Sequence, residues 1–238
     1  FKWGKKLRNR YRSEVAYTDA QLGRLFEALE EGGWFEDSLI IVFADHGEAQ
    51  GERNYYGHHK YLNAWTMDIP LFVYFPGVQP AKVADAVQIT DIFPTVLHWW
   101  GLRAPDDIEA RSLFETIVDG RPRPAFAEAF AKRGRDLYDR MGDRPQGLQA
   151  VTDGIVETAW AGTRDNEPKV AIVEGQERLI ANRRNGEFEL YSRNKDLLEK
   201  RNRVAKEPEL AQELLGELRD WHFRMSERIY CRTLLESR

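Results

Sequence analysis

Residues 44–59 read ADHGEAQGERNYYGHH and place three histidines and three acidic residues in one short stretch. Asp45 and His46 come directly after SLIIVF, an apolar run that predicts a buried strand. A carboxylate supplies a hard oxygen and a neutral imidazole supplies a borderline nitrogen, so the two residues together suit a divalent cation. Such a cation polarises an ester oxygen or activates a nucleophile. The stretch therefore predicts metal-assisted chemistry at the end of a strand.

Asp45 and His46 can act together only if the strand ends where they begin. Successive residues of a strand face opposite sides, and Gly47 permits the break that would bring both side chains to one ion. For these residues alone, an alternative stays open in which Asp45 is a loop cap and His46 is a surface residue. The sequence contains neither the HExxH pattern of zinc peptidases nor a phosphate-binding P-loop.

The composition excludes several other classes of protein. The 35 basic and 39 acidic residues give a net charge of −4, which argues against a nucleic-acid binder. No apolar run approaches the length of a membrane span, so no membrane segment is predicted.

The chain begins at Phe1 rather than at Met, so we expect a truncated start that would lack any signal or anchor, and no localisation is predicted.

The elements that would position these residues follow from hydrophobic periodicity and from capping signals. They are a helix at 13–31 with Ser13 as its N-cap, strands at 39–43 and 69–75, and a helix that begins at Thr90 or Asp91 and ends at Gly101. This order predicts an α/β layered domain in residues 1–124.

The second part of the chain, residues 125–238, has a different pattern. Residues 169–191 predict an antiparallel meander with turns at Glu174-Gly175 and Asn185-Gly186. A final amphipathic helix begins at about Pro208. Residues 131–165 are polar and rich in glycine, which predicts loops. We therefore predict a smaller C-terminal α+β subdomain.

Taken in order, the motifs resemble the second half of a sulfatase, a family of the alkaline phosphatase superfamily. The matching segments are Val15–Arg24, Ala44–Glu48, Gly57-His58, Ile69–Gly77, Thr90–Gly101, Glu189–Tyr191 and Asp196–Asn202. The resemblance implies part of an alkaline-phosphatase-like layered sheet with flanking helices, followed by the meander and the final helix. Ala44 departs from the serine that the family usually has there.

By this resemblance Asp45 would be a metal ligand. His46 would be a second ligand, or would contact the nucleophile or an ester oxygen. His58 matches the position where relatives place a lysine or histidine that contacts the transferred group or protonates the leaving group. His59 and Lys60 are adjacent alternatives for contact with the substrate or the leaving group, and a solvated loop is an equally good interpretation of both.

The resemblance implies Ca²⁺ as the metal, whereas the Asp-His pair taken alone favours Mn²⁺ or Zn²⁺. It implies a hydrolase of small sulfuric esters. The alternatives are a phosphodiester or phosphonate monoester hydrolase or phosphotransferase of the same superfamily, or a non-catalytic interaction module that retains the fold.

One expected part is missing from the sequence. The family uses a cysteine, converted to formylglycine, or a serine in a Cys/Ser-x-Pro-x-Arg motif, and this motif does not occur here. The nucleophile and further aspartate ligands would lie upstream of the first helix. We therefore expect a C-terminal fragment that is inactive alone and that has the N-terminal half of the catalytic domain as its partner.

Overall fold

A computed structural model of the chain describes residues 2–58, 61–120, 123–129 and 168–236. The chain folds into two compact units. The first unit holds Phe1–His58 and Trp65–Ala125, and the second holds His59–Ala64 and Phe126–Arg238. The predicted loops at 131–165 lie outside the described residues.

The first unit opens with one long helix, α1, over Lys2–Glu31. The prediction of a start at residue 13 is wrong, because Ser13 lies inside the helix and its hydroxyl donates to the Asn9 carbonyl at 2.9 Å. A serine can make this bond one turn back without ending a helix. The preceding lysine, arginine and leucine residues are good helix formers and extend it towards the N-terminus. The glycine pair ends it as predicted, with Gly33 at a φ of 70°.

Two predicted strands form an antiparallel pair in the first unit. Strand β1, Ile40–Phe43, pairs with strand β4, Leu71–Tyr74. The sequence predicts a buried strand at β1, but Phe43 on β1 is 43% exposed and Phe72 on β4 is 68% exposed. Among the described residues these two strands pair only with each other, and a strand buried on both faces needs packed layers on both sides.

A short hairpin between these strands was not predicted. Strand β2, Ala49–Gln50, pairs antiparallel with strand β3, Tyr56–Gly57. Helix α2, Ala64–Met67, follows and precedes β4. The strands of this hairpin have two residues each, too few for periodicity to reveal them.

The last part of the first unit is built around a buried aspartate. Helices α3, Ile92–Trp99, and α4, Leu113–Asp119, follow a short 3₁₀ turn. Asp91 is fully buried, and its carboxylate accepts from the Gln88 amide at 2.9 Å and the Arg111 amide at 3.0 Å. It also pairs with Arg123. The Asp91 side chain makes no capping hydrogen bond to α3, and it fastens the loop that leads to α4 instead.

The second unit contains the predicted meander and one further strand. The sheet order is β5, Ala125–Ala129; β6, Lys169–Glu174; β7, Glu177–Asn182; and β8, Phe188–Ser192. Helix α5 covers Pro208–Glu236 and begins where predicted. The core between sheet and helix consists of Val170, Ile172, Leu179, Ala181, Leu190, Ala211, Leu214, Leu215 and Leu218. The predicted antiparallel meander is confirmed.

None of the described helices has a stretch that is both long and apolar enough to span a bilayer.

Candidate functional site

The loop after β1 is held in place at Gly47. The Gly47 amide donates to the Thr66 carbonyl at 2.8 Å, and a Cβ at this position would overlap the Trp65 carbonyl oxygen. Glycine is therefore required here for close approach of two backbones, in addition to the strand break that the sequence suggests. This contact fixes the positions from which His46 and Glu48 project on either side of Gly47.

The β2–β3 hairpin brings Glu48 and His58 together. Ala49 lies opposite Gly57 in the register, so the residues just outside this pair are neighbours. The His58 Nδ1 and the Glu48 Oε2 are 2.6 Å apart, and both side chains are about one-third exposed. Gly57 has a φ of 121°, a left-handed conformation that suits glycine and directs the chain into His58.

His46 completes a cluster with His58. The two imidazole rings are stacked, with centroids 3.9 Å apart and an angle of 24° between their planes. The His46 Nδ1 is 2.9 Å from the Gly47 carbonyl oxygen, which can only accept a hydrogen bond. The proton of a neutral His46 therefore lies on Nδ1, and its Nε2 carries the lone pair.

Asp45 lies at the edge of this cluster. Its Oδ1 accepts from the His46 amide at 2.9 Å, and its Oδ2 is 3.6 Å from the His46 Nε2. The Asp45 side chain is 84% exposed. The structure thus brings together Asp45, His46 and His58, whereas His59 and Lys60 lie outside the described residues.

Glu48 is the member of the site to which the sequence analysis gives no role. Ligand atoms of His46, Glu48 and His58 all lie within 4.8 Å of one another. The signal that could have revealed it is the glycine at each end of the Gly51–Gly57 stretch. Both glycines adopt positive φ, as turn positions often do, and a hairpin here would have placed Glu48 beside His58.

Comparison with known proteins gives consistent results. Residues 2–102 match the sulfatase family. The multifunctional alkaline phosphatase superfamily protein PehA of Trinickia caryophylli is 31% identical over 145 residues, which cover 60% of this chain and 28% of PehA. A sulfatase of Formosa agariphila is 34% identical over 110 residues, which cover 46% of this chain and 22% of that protein.

The fold is also that of known structures. The phosphonate monoester hydrolase from Silicibacter pomeroyi superposes with a TM-score of 0.61 and 25% identity, covering 88% of this chain and 38% of that one. The fold is therefore that of the alkaline phosphatase superfamily. Within it, residues 2–102 match the sulfatase family, so the chain contains part of a sulfatase domain. It spans between a fifth and two-fifths of the length of these three proteins.

Proposed function

We propose that this chain is part of a metal-dependent hydrolase of sulfuric esters. Residues 1–124 would be the C-terminal part of its catalytic domain, and residues 125–238 would be a smaller C-terminal subdomain. The observation that carries the proposal is the meeting of Asp45, His46 and His58 at one place in a chain whose residues 2–102 match the sulfatase family.

The donors of Asp45 and His46 fit a divalent cation. The carboxylate oxygen and the imidazole Nε2 lie 3.6 Å apart, and the hydrogen bond from Nδ1 leaves the lone pair on Nε2. Two donors are fewer than the six to eight that Ca²⁺ takes, so further oxygen ligands must come from elsewhere. We propose Ca²⁺ because of the family, with Mn²⁺ or Zn²⁺ as alternatives favoured by the imidazole. The cation would polarise the ester oxygens.

His58 would protonate the leaving group. Its Nδ1 is held by the Glu48 carboxylate at 2.6 Å, which fixes the plane of the ring. Proton transfer to the leaving oxygen would then use the other nitrogen, Nε2, as the bond from sulfur to that oxygen breaks. A histidine can perform this step near neutral pH.

The N-terminal half of the same domain is the partner that we propose for the first unit. Phe43 and Phe72, on paired strands, expose aromatic surface that a packed layer would cover. The nucleophile and the remaining metal ligands would come from that half, which agrees with the absence of a Cys/Ser-x-Pro-x-Arg motif in this chain.

A second candidate activity is hydrolysis of phosphodiesters or phosphonate monoesters. The observation that favours it is similarity to a phosphonate monoester hydrolase and to PehA, at 25% and 31% identity. Sulfuryl and phosphoryl esters place similar charge on tetrahedral oxygens, so Asp45, His46 and His58 would serve either substrate.

The test uses the chain joined to the N-terminal half of its domain, with an aryl sulfate and a phenylphosphonate ester as substrates. Replacing the proton donor, His58→Ala, should lower kcat by about 10²–10⁴-fold on the preferred substrate. His59→Ala should have a much smaller effect, and His98→Ala on α3 is a matched control away from the site. Equal losses for His58→Ala and His59→Ala would refute the assignment. Metal analysis of the purified protein identifies the ion.

A further inference from the structure

His46, Glu48 and His58 form a cluster of which the proposed hydrolysis uses only His46 as a metal ligand. Its ligand atoms lie within 4.8 Å of one another, and they include a carboxylate that the hydrolase assignment uses only to orient His58. We infer that these three side chains form a second binding mode for a divalent cation, one that takes Zn²⁺ or a similar borderline ion and does not require Asp45.

The donor set is typical of zinc. Two imidazoles and one carboxylate, with a fourth position open to water, form a common tetrahedral zinc site. Ca²⁺ prefers six to eight oxygen ligands and is a poor match for two nitrogens. The chemistry of His46, Glu48 and His58 therefore selects the borderline ion over the hard one.

His46 is already prepared as a ligand. Its Nδ1–H donates to the Gly47 carbonyl at 2.9 Å, which fixes the tautomer and leaves Nε2 as the donor atom. A backbone carbonyl in this role is a frequent outer-shell partner of metal-bound histidine. The Gly47 backbone is itself held by the Thr66 carbonyl at 2.8 Å, so the orientation has a rigid support.

Glu48 and His58 can accept the ion by exchanging a proton for it. The hydrogen bond between the Glu48 Oε2 and the His58 Nδ1 is 2.6 Å long, and zinc would replace its proton. Two ligands in a tetrahedral zinc site lie about 3.4 Å apart, so this pair opens slightly while His46 moves closer. The partial exposure of all three side chains permits these small rotations.

Binding of zinc rests on this chain alone, whereas its effect on catalysis rests on the proposed function. Because His46 would serve both ions and His58 would be occupied by zinc, the two arrangements exclude each other. Excess zinc would then inhibit the hydrolase, because zinc on the His58 Nδ1 prevents the ring from forming the imidazolium that donates its Nε2 proton.

Isothermal titration of zinc chloride into the full chain, with calcium chloride for comparison, tests the inference. We expect one zinc ion per chain. Changes to outer-shell partners alone weaken metal binding by about 10–100-fold, so Glu48→Gln should weaken zinc binding by at least about 100-fold. Glu52→Gln is the matched control, because Glu52 lies in the same hairpin and bonds the Gln50 amide instead. Asp45→Asn should change the affinity by less than about threefold.

Three outcomes would overturn the inference. Equal zinc affinity of the wild type, Glu48→Gln and Glu52→Gln would mean an adventitious ion only. Loss of binding in Asp45→Asn but not in Glu48→Gln would move the ion to the Asp45–His46 pair and leave the proposed function standing. X-ray absorption of the zinc-loaded wild type needs no variant and should show two imidazole ligands without sulfur. A spectrum with sulfur coordination would exclude the cluster.

Discussion

Each unit contains a carboxylate paired with a cationic or ionisable side chain at nearly the same distance, in opposite surroundings. In the first unit Glu48 lies 2.6 Å from His58, with side chains 29% and 31% exposed. In the second unit Glu199 lies 2.5 Å from Arg178, and each side chain is 1% exposed. Contact with water, rather than the contact distance, decides what each pair can do.

Both carboxylate oxygens of Glu199 in the buried pair accept hydrogen bonds, and one of them binds Arg178. The second oxygen of Glu199 accepts from the Asn63 side-chain amide at 2.7 Å and from the Ala64 backbone amide at 3.1 Å. Glu199 also keeps a φ of 48°, a left-handed conformation that favours glycine, so its side chain is retained at a backbone cost. A carboxylate held in this way fastens the 61–64 segment to the rest of its unit and is unsuited to exchange with a ligand.

The Glu48–His58 pair differs from the buried pair because water reaches both of its side chains. Even between two full charges, a pair in contact with water contributes only about 0–1 kcal/mol, so replacing it with a bound ion or substrate costs little. The comparison shows that water reaches Glu48 and His58, whereas Glu199 and Arg178 are closed to it.

The largest expected effect tests the structural half of this comparison. Glu199→Ala leaves the Arg178 charge buried without its carboxylate and should destabilise the second unit by about 3–5 kcal/mol. Hydrogen–deuterium exchange of the full chain should show loss of protection across β6, β7 and β8. Glu187→Ala is the matched control in the same unit, because Glu187 is exposed and its carboxylate accepts from the side-chain amide of the neighbouring Asn185.

Hydrogen–deuterium exchange on a variant of the Glu48–His58 pair completes the comparison. Glu48→Ala should change protection of the first unit by no more than about 1 kcal/mol. A loss in Glu48→Ala as large as that in Glu199→Ala would show that exposure does not separate the two pairs, and the comparison would fail.

A smaller effect is expected at the support of the site. In Gly47→Ala the new methyl group overlaps the Trp65 carbonyl, and such overpacking costs about 1–3 kcal/mol. Exchange should increase across residues 44–58, and zinc affinity should fall because His46 is displaced. Gly23→Ala is the matched control, since nothing lies within 4 Å of the added methyl group in α1 and alanine favours a helix. Undisturbed exchange in Gly47→Ala would contradict the tight packing of the loop.

The parts of the fold that the sequence predicts correctly are those with a long periodic pattern or a strong local turn or helix-start signal. The turn at Gly175 and the start of α5 at Pro208 follow from local chemistry. The start of α1 was wrong because the Ser13 side chain bonds the helix interior as readily as it caps a terminus. Strand β5, Ala125–Ala129, lies beside β6 in the sheet although the two are far apart in sequence, and local patterns carry no such information.

In the candidate site, too, residues that local sequence identifies differ from residues that only the fold brings into place. Asp45, His46 and His58 were found from residue types and from the family resemblance, and their roles stay predictions. Glu48 was missed because its position depends on which residues face each other across the β2–β3 hairpin. The bond from Glu199 to Asn63 spans 136 residues, so the reason for a glutamate within the Asp196–Asn202 motif became visible only in the folded chain.

The smallest expected effect concerns a third carboxylate, which has like charges as neighbours instead of a cation. Burial raises the pKa of Glu217 on α5, and the carboxylates of Glu174, Glu213 and Asp220 raise it further. A raised pKa means that the folded state binds the proton more tightly, so this contribution to stability is present in acid and is lost as the pH rises through the raised pKa. Glu217→Gln removes the charge and should stabilise the second unit at pH 7, by less than about 0.5 kcal/mol because water still reaches the group and screens its interactions. Below a pH of about 4, where the carboxyl is protonated in both states, the advantage should vanish. Thermal unfolding of the full chain at both pH values measures the difference, and an advantage that does not change with pH would mean that packing rather than charge is responsible.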